Sequence, residues 1–341
     1  MEATGERTRV GIALAVVGLV VVLGACKPLR EYPAAQTMFF GTAARANLLS
    51  EPTYATILAR EFNGLSPENE LKWDTIHPTQ TTYNFGPADA LVNFARDHNM
   101  KVRGVPLLWH EQNPAWLVNG GFDGTAMRNI LAAHIATVVG HYRGRIVQWD
   151  VVNEPFENDG TLRNTVFRKI GSRYMDDAFT MAHAADPAAK LFLNERGIEV
   201  PGLKADGVFN AVSKMKARGV PITGVGFQMH ANTVVPTAQQ LKAQIARYAA
   251  IGVEIAITEL DVKLPIPVTA AALADQARVY RDALAACRAA ANCHTFVTWG
   301  FTDKYSWIPQ FFPGWGDATM LDDTYANKPA YDALNQELGH G

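Results

Sequence analysis

Trp149-Asp150-Val151-Val152-Asn153-Glu154-Pro155 is a short apolar run that ends on a carboxylate and is stopped by proline. Its length and β-branched content read as a buried strand. Ile257-Thr258-Glu259-Leu260-Asp261 repeats the pattern later in the chain. Working outward, apolar strand-like runs lie at 39–41, 62–66, 101–109, 146–153, 190–194, 224–229, 254–259 and 295–300. Helical patterns lie between most of them, at 53–62, 87–99, 125–142, 165–185, 204–218, 237–251 and 270–290, and a last one lies at 329–338. Eight strand-helix repeats predict a parallel α/β barrel around one core. A strand that ends on a carboxylate delivers it to the mouth of such a barrel, where chemistry is done.

The chain has 341 residues, of which 48% are hydrophobic, ample for one large core. A barrel of this size forms a single domain. The net charge of −2 provides neither a basic face for nucleic acid nor an acidic tail. Cys, His and carboxylates do not cluster at metal-ligand spacing, so no catalytic metal and no cofactor is expected. Seven Trp lean towards a site lined by rings, although most single rings are core residues. A monomer is the default.

The first 26 residues read as a separate object. Arg7 and Arg9 precede an unbroken apolar run from Gly11 to Leu23, short for a membrane span, followed by Gly24-Ala25-Cys26. Leu23-Gly24-Ala25-Cys26 resembles a bacterial lipoprotein signal, which implies cleavage before Cys26 and acylation of its thiol; an uncleaved anchor or an ordinary secretory signal is the plainer alternative. The expected organisation is a signal at 1–25, a linker at 26–37 with lipidated Cys26, and a catalytic barrel at 38–341. Lipid on Cys26 would tether the domain to the outer face of a membrane. In an exported protein, Cys287 and Cys293 read as a disulfide, with two free buried thiols as the alternative.

Polar residues gather where the strands end. Ser66-Pro67-Glu68-Asn69 with Lys72 and Trp73 follows the second strand, and Trp109-His110 the third. Asn153-Glu154 closes the fourth, Asn194-Glu195 the fifth, Gln228 and His230 the sixth, Glu259 and Asp261 the seventh, and Trp299 the eighth. One such residue carries little weight; the set predicts an active-site face.

At these residues the chain resembles glycoside hydrolase family 10, the endo-1,4-β-xylanases on a single (β/α)8 TIM barrel. The matching segments are 62–73, 149–155, 224–230, 257–261 and 298–307. The Cys287–Cys293 pair fits the family as well. The resemblance implies that Glu154 is the acid/base and Glu259 the nucleophile. It implies that His230 and Asp261 hydrogen-bond around the nucleophile, and that Asn153 holds the sugar 2-hydroxyl. Glu68, Asn69, Lys72, Trp109, Gln112, Gln228, Trp299 and Trp307 match glycone-side binding positions, so the expected partner is a polysaccharide or oligosaccharide.

The chemistry agrees. Retaining glycosidases need one carboxyl to protonate the leaving oxygen and another, about 5–5.5 Å away, to attack the sugar. Glu259 is expected ionised, held by donors such as His230 and Asn153, while its charge keeps the proton on Glu154.

Three departures stand out. The family usually has Gly-His-Thr-Leu-Val-Trp-His on the third strand; here it is Gly104-Val105-Pro106-Leu107-Leu108-Trp109-His110. Val105 cannot make the hydrogen bond of the missing histidine, and Pro106 predicts a bulge. The usual Asn-Asp-Tyr-Asn is Asn194-Glu195-Arg196-Gly197, and Glu111 replaces a small neutral residue, with a charge that could pair with Arg196. The expectation is an intact hydrolytic machine with an altered glycan preference, beside the plainer reading of an ordinary xylanase. A surface binding lipoprotein without turnover is disfavoured, because binding needs no paired carboxylates.

Overall fold

The computed structural model describes residues 27–232 and 236–340. Eight strands form the barrel: β1 (Phe39–Ala44), β2 (Gly64–Pro67), β3 (Lys101–Gly104), β4 (Gln148–Asn153), β5 (Lys190–Glu195), β6 (Gly224–Phe227), β7 (Glu254–Val262) and β8 (Cys293–Thr298). Each pairs in parallel with the next, and β8 returns to β1 with Phe39 opposite Thr295, which closes a (β/α)8 TIM barrel. The strands are buried almost throughout rather than alternating between a buried and an exposed face, and the polar side chains they bury pair with one another, as where Arg103 donates to Gln148.

The outer ring is α1 (Pro52–Glu61), α2 (Gly86–Asp97), α3 (Gly124–His141), α4 (Tyr174–Ala185), α5 (Leu203–Ala217), α6 (Ala238–Ala249), α7 (Ala270–Arg288) and α8 (Pro329–Gly339). Local chemistry sets several starts. Asp123 accepts from Ala126 N at 2.8 Å, and Thr237 and Gln240 form a reciprocal capping box. The helix expected over 165–185 is broken: a 3-10 turn spans Val166–Ile170, Gly171 takes φ 132°, and α4 begins only at Tyr174.

Two strand ends matter for the site. β3 stops at Gly104, because Pro106 has no N–H to pair. Pairing resumes when Leu107 N donates to Asp150 O at 2.9 Å. Gly104 opposes Trp149 and Leu108 opposes Val152, so four steps on one side meet three on the other, the expected bulge. β7 runs past Glu259 to Val262, so Glu259 and Asp261 share one face of one strand.

The expected linker is corrected. Leu29 and Ala35 are fully buried, in a 3-10 turn (Leu29–Glu31) and a helical turn (Pro33–Gln36). Leu29 N donates to Glu61 Oε2 at 2.9 Å, Arg30 to Ala59 O at 2.7 Å, and Asn63 Nδ2 to Ala35 O at 2.7 Å. Two apolar side chains and these bonds close the barrel floor, so 29–37 belongs to the domain. The signal expected at 1–25 and the lipidation at Cys26 lie outside the described residues. Cys287 and Cys293 form a disulfide.

Candidate active site

The mouth of the barrel is built on a chain of amides. Asn153 and Asn194 are register partners at the ends of β4 and β5. Asn194 Nδ2 donates to Asn153 Oδ1 at 3.0 Å and to Glu259 Oε1 at 2.6 Å. Gln228 Nε2 donates to Asn153 Oδ1 and to Glu154 Oε1, both at 3.1 Å. Three residues, Asn194, Asn153 and Gln228, thus link the two glutamates without a break. Thr258 Oγ1 donates to Asn194 Oδ1 at 2.7 Å, which fixes the orientation of that amide. Room for it comes from Gly226, where a Cβ would fall 2.2 Å from Asn194 Oδ1.

Glu259 takes its second bond from His230. His230 Nε2 lies 2.9 Å from Glu259 Oε2, and His230 Nδ1 lies 3.0 Å from Asp261 Oδ2. The cause is topological: the short His230–Ala231 strand pairs with the end of β7, with His230 directly opposite Asp261. Burial opposes charge on His230, but Asp261 and Glu259 outweigh it and push its pKa up to about 10. His230 is therefore a cation at neutral pH. Glu259 thus accepts from an amide donor at one oxygen and faces the His230 ring at the other.

Glu154 sits differently. It follows the last residue of β4 with φ 51°, a left-handed conformation that costs about 1 kcal/mol or more outside glycine. Its N–H donates to Asn194 O at 2.9 Å, and the next turn is held where Phe156 N donates to Glu195 Oε2 at 3.1 Å. Met229, between Gln228 and His230, also has a positive φ of 61°. Strained backbone thus carries Glu154 itself and lies between Gln228, which bonds Glu154, and His230, which bonds Glu259. Arg196 Nε stands 3.7 Å from Glu154 Oε2, while Glu111 lies 3.3 Å from His110 Nε2. The pairing of Glu111 with Arg196 is replaced by these two contacts, because Arg196 follows β5, next to the end of β4.

The binding candidates line the same mouth. Glu68 is held bidentately by Arg45 at 2.6 and 2.8 Å. Lys72 Nζ donates to Asn69 Oδ1 at 2.9 Å and lies over the Trp109 ring at 5.1 Å. Burial lowers the Lys72 pKa, against the opposing carboxylates of Glu68 and Glu259. Trp307 Nε1 donates to Asp261 Oδ2 at 2.7 Å, and its ring stands edge-on to His230. Trp299 packs with Ala43 and Val105, Trp307 against them, in an apolar cluster separate from the main core. Gln112 is exposed at the rim with φ 48°.

One expectation changes. Asn194, not Asn153, donates to Glu259; Asn153 accepts at Oδ1 from both neighbouring amides. Sequence reading also missed the buried pair Lys204–Glu195 at 2.7 Å. Glu195 is a carboxylate pushed up to about 7 by burial, against the pull of Lys204. A lysine near the start of a helix carries no signal that it reaches back to a strand end.

The family model of glycosyl hydrolase family 10 matches residues 29–337. The chain belongs to glycosyl hydrolase family 10. Endo-1,4-beta-xylanase A of Phanerodontia chrysosporium is 41% identical over 307 residues, 89% of this chain and 75% of that protein. The crystal structure of native xylanase 10B from Thermotoga maritima superposes with a TM-score of 0.89 at 40% identity, covering 92% of this chain and 98% of that one. The xylanase 10B of Thermotoga petrophila RKU-1, crystallised in complex with xylobiose, gives 0.89 at 39% identity, with 92% and 97% covered. This family 10 chain thus shares its whole barrel with those relatives, and its match begins at the docked Leu29.

Proposed function

We propose that this family 10 hydrolase is a retaining endo-1,4-β-xylanase. The observation that carries the reading is the pair Glu154 and Glu259, joined by one amide chain yet given unlike surroundings. Glu154 donates its proton to the glycosidic oxygen as the C–O bond breaks, and Glu259 forms a bond to the anomeric carbon. The covalent intermediate removes the charge of Glu259. Glu154, now ionised, takes a proton from water, whose oxygen displaces Glu259 and restores both groups. Asn153 is placed to meet the sugar 2-hydroxyl, with Glu68, Asn69, Lys72, Gln228, Trp299 and Trp307 around the glycone. Relatives named as endoxylanases, and one crystallised with xylobiose, support this substrate class.

The test is product analysis of the protein lacking residues 1–25, on linear xylan and other β-linked glycans, with Glu259→Ala as control. Short xylo-oligosaccharides that need Glu259 support the reading. Glu259-dependent release only from another glycan moves the assignment to that substrate. Val105 favours such an altered preference, because it packs with Ala43 and Trp299 and offers no hydrogen bond there.

The lipoprotein reading completes the proposal. The chain enters β1 at the floor, and Leu29 is docked there three positions after Cys26. Acylation at Cys26 would hold the floor against the membrane with the mouth turned outward. Membrane fractionation of the full chain beside Cys26→Ser tests it: equal release of both into the soluble fraction would refute the anchor.

A further inference from the structure

Two guanidinium groups stand beside Glu154, and they are committed differently. Arg163 Nε donates to Glu154 O at 3.3 Å, Arg163 Nη2 donates to Phe156 O at 3.2 Å, and Arg163 Nη1 lies 3.2 Å from Glu157 Oε2. It is a brace for the loop. Arg196 Nε stands 3.7 Å from Glu154 Oε2, and its side chain is 57% exposed. Its backbone is anchored, since Arg196 N donates to Glu195 Oε1 at 3.0 Å and Lys204 holds the same carboxylate oxygen at 2.7 Å. A guanidinium is a planar fork that matches a carboxylate through two parallel N–H bonds, and more than half of this side chain is open to solvent.

The timing strengthens the point. When the glycosidic bond breaks, Glu154 must carry a proton and has no charge to offer Arg196. A second anion supplied by the substrate would fill that role at the moment it is needed. Because Arg196 touches the proton donor, it lies beside the departing sugar rather than the sugar that Glu259 attacks. Neutral pentose rings offer only hydroxyls; among plant-wall β-glycans, the anionic group of the right chemistry is a uronic-acid side group.

We propose that Arg196 recognises a carboxylate on the leaving-group side of the substrate, so that the preferred glycan carries uronic-acid side groups. This rests on the reading of Glu154 as the proton donor of a xylan hydrolase. The pair would be partly exposed, which sets the expected gain on the order of threefold to tenfold rather than thousands.

The experiment uses matched oligosaccharides: uronic-acid-substituted xylo-oligosaccharides, and the same molecules with the carboxyl reduced to an alcohol. For each enzyme the readout is the ratio of kcat/KM for the acid over that for the alcohol, so any general loss cancels. The wild-type ratio should be about threefold to tenfold, shrink with added salt, fall to about one in Arg196→Gln, and persist in part in Arg196→Lys. A wild-type ratio of one, or a ratio unchanged by Arg196→Gln, would overturn the proposal. Calorimetric affinities of the Glu259→Gln protein for both oligosaccharides give the same ratio without turnover. Failure of hydrolysis with unequal affinities would sink the xylanase reading alone; equal affinities would sink the role of Arg196.

Discussion

Asn194 holds Glu259 at 2.6 Å and Asn153 at 3.0 Å with the two hydrogens of one amide nitrogen. Glu259 is therefore aimed by the same group that aims Asn153, the neighbour of Glu154. Replacing Asn194 by Ala should remove a charge-assisted bond and loosen both, at a cost of about 2–3 kcal/mol in the transition state. Steady-state kinetics on xylan should show kcat/KM down roughly 30- to 150-fold, mostly in kcat. A change confined to KM would mean that Asn194 only binds sugar.

Val105→His should restore a donor in the cluster with Ala43 and Trp299. If an unpaired sugar hydroxyl now costs about 1–3 kcal/mol, linear xylan should be hydrolysed roughly 5- to 150-fold faster at low substrate concentration. Unchanged turnover and unchanged ranking across glycans would show that Val105 is a neutral variation.

The raised pKa of His230 has a signed consequence. The folded value of about 10 lies above the ordinary 6.5, so the native state holds this proton more tightly than the unfolded chain. The resulting stability is complete below pH 6.5 and is lost as pH climbs towards 10. Thermal unfolding of the wild type should weaken progressively over that interval, and His230→Asn should flatten the slope. Parallel slopes in both proteins would count against a charged His230.

Lys204→Met should leave Glu195 buried without its cation. Breaking one side of a buried pair costs about 3–5 kcal/mol, and denaturant titration should read that loss. Because Glu195 also accepts from Phe156 N and Arg196 N, activity should fall in the folded fraction as well. The double variant Lys204→Met with Glu195→Leu should recover stability but not activity, which separates the two roles.

Periodicity alone determined the barrel, because eight apolar runs separated by amphipathic stretches have few other ways to bury themselves. Strand-end position likewise marked Glu154, Glu259, His230, Asp261 and the tryptophans, since a parallel barrel sends every strand end to one mouth. Tertiary structure decided what local patterns do not encode. Asn194 was visible as a strand-end residue, yet its bond to Glu259 depends on register across β5, β6 and β7 and on the space left by Gly226. Lys204 reaches Glu195 from the first turns of α5, and Arg196 meets Glu154 rather than Glu111 because β5 lies beside β4. Leu29 and Ala35, too short a segment to show a period, become part of the domain only because the barrel floor leaves an apolar surface for them to cover. Local sequence specifies which element forms and which side chains stand at its end; which of those side chains touch is set by strands far apart in the chain, and only the closed barrel brings them together.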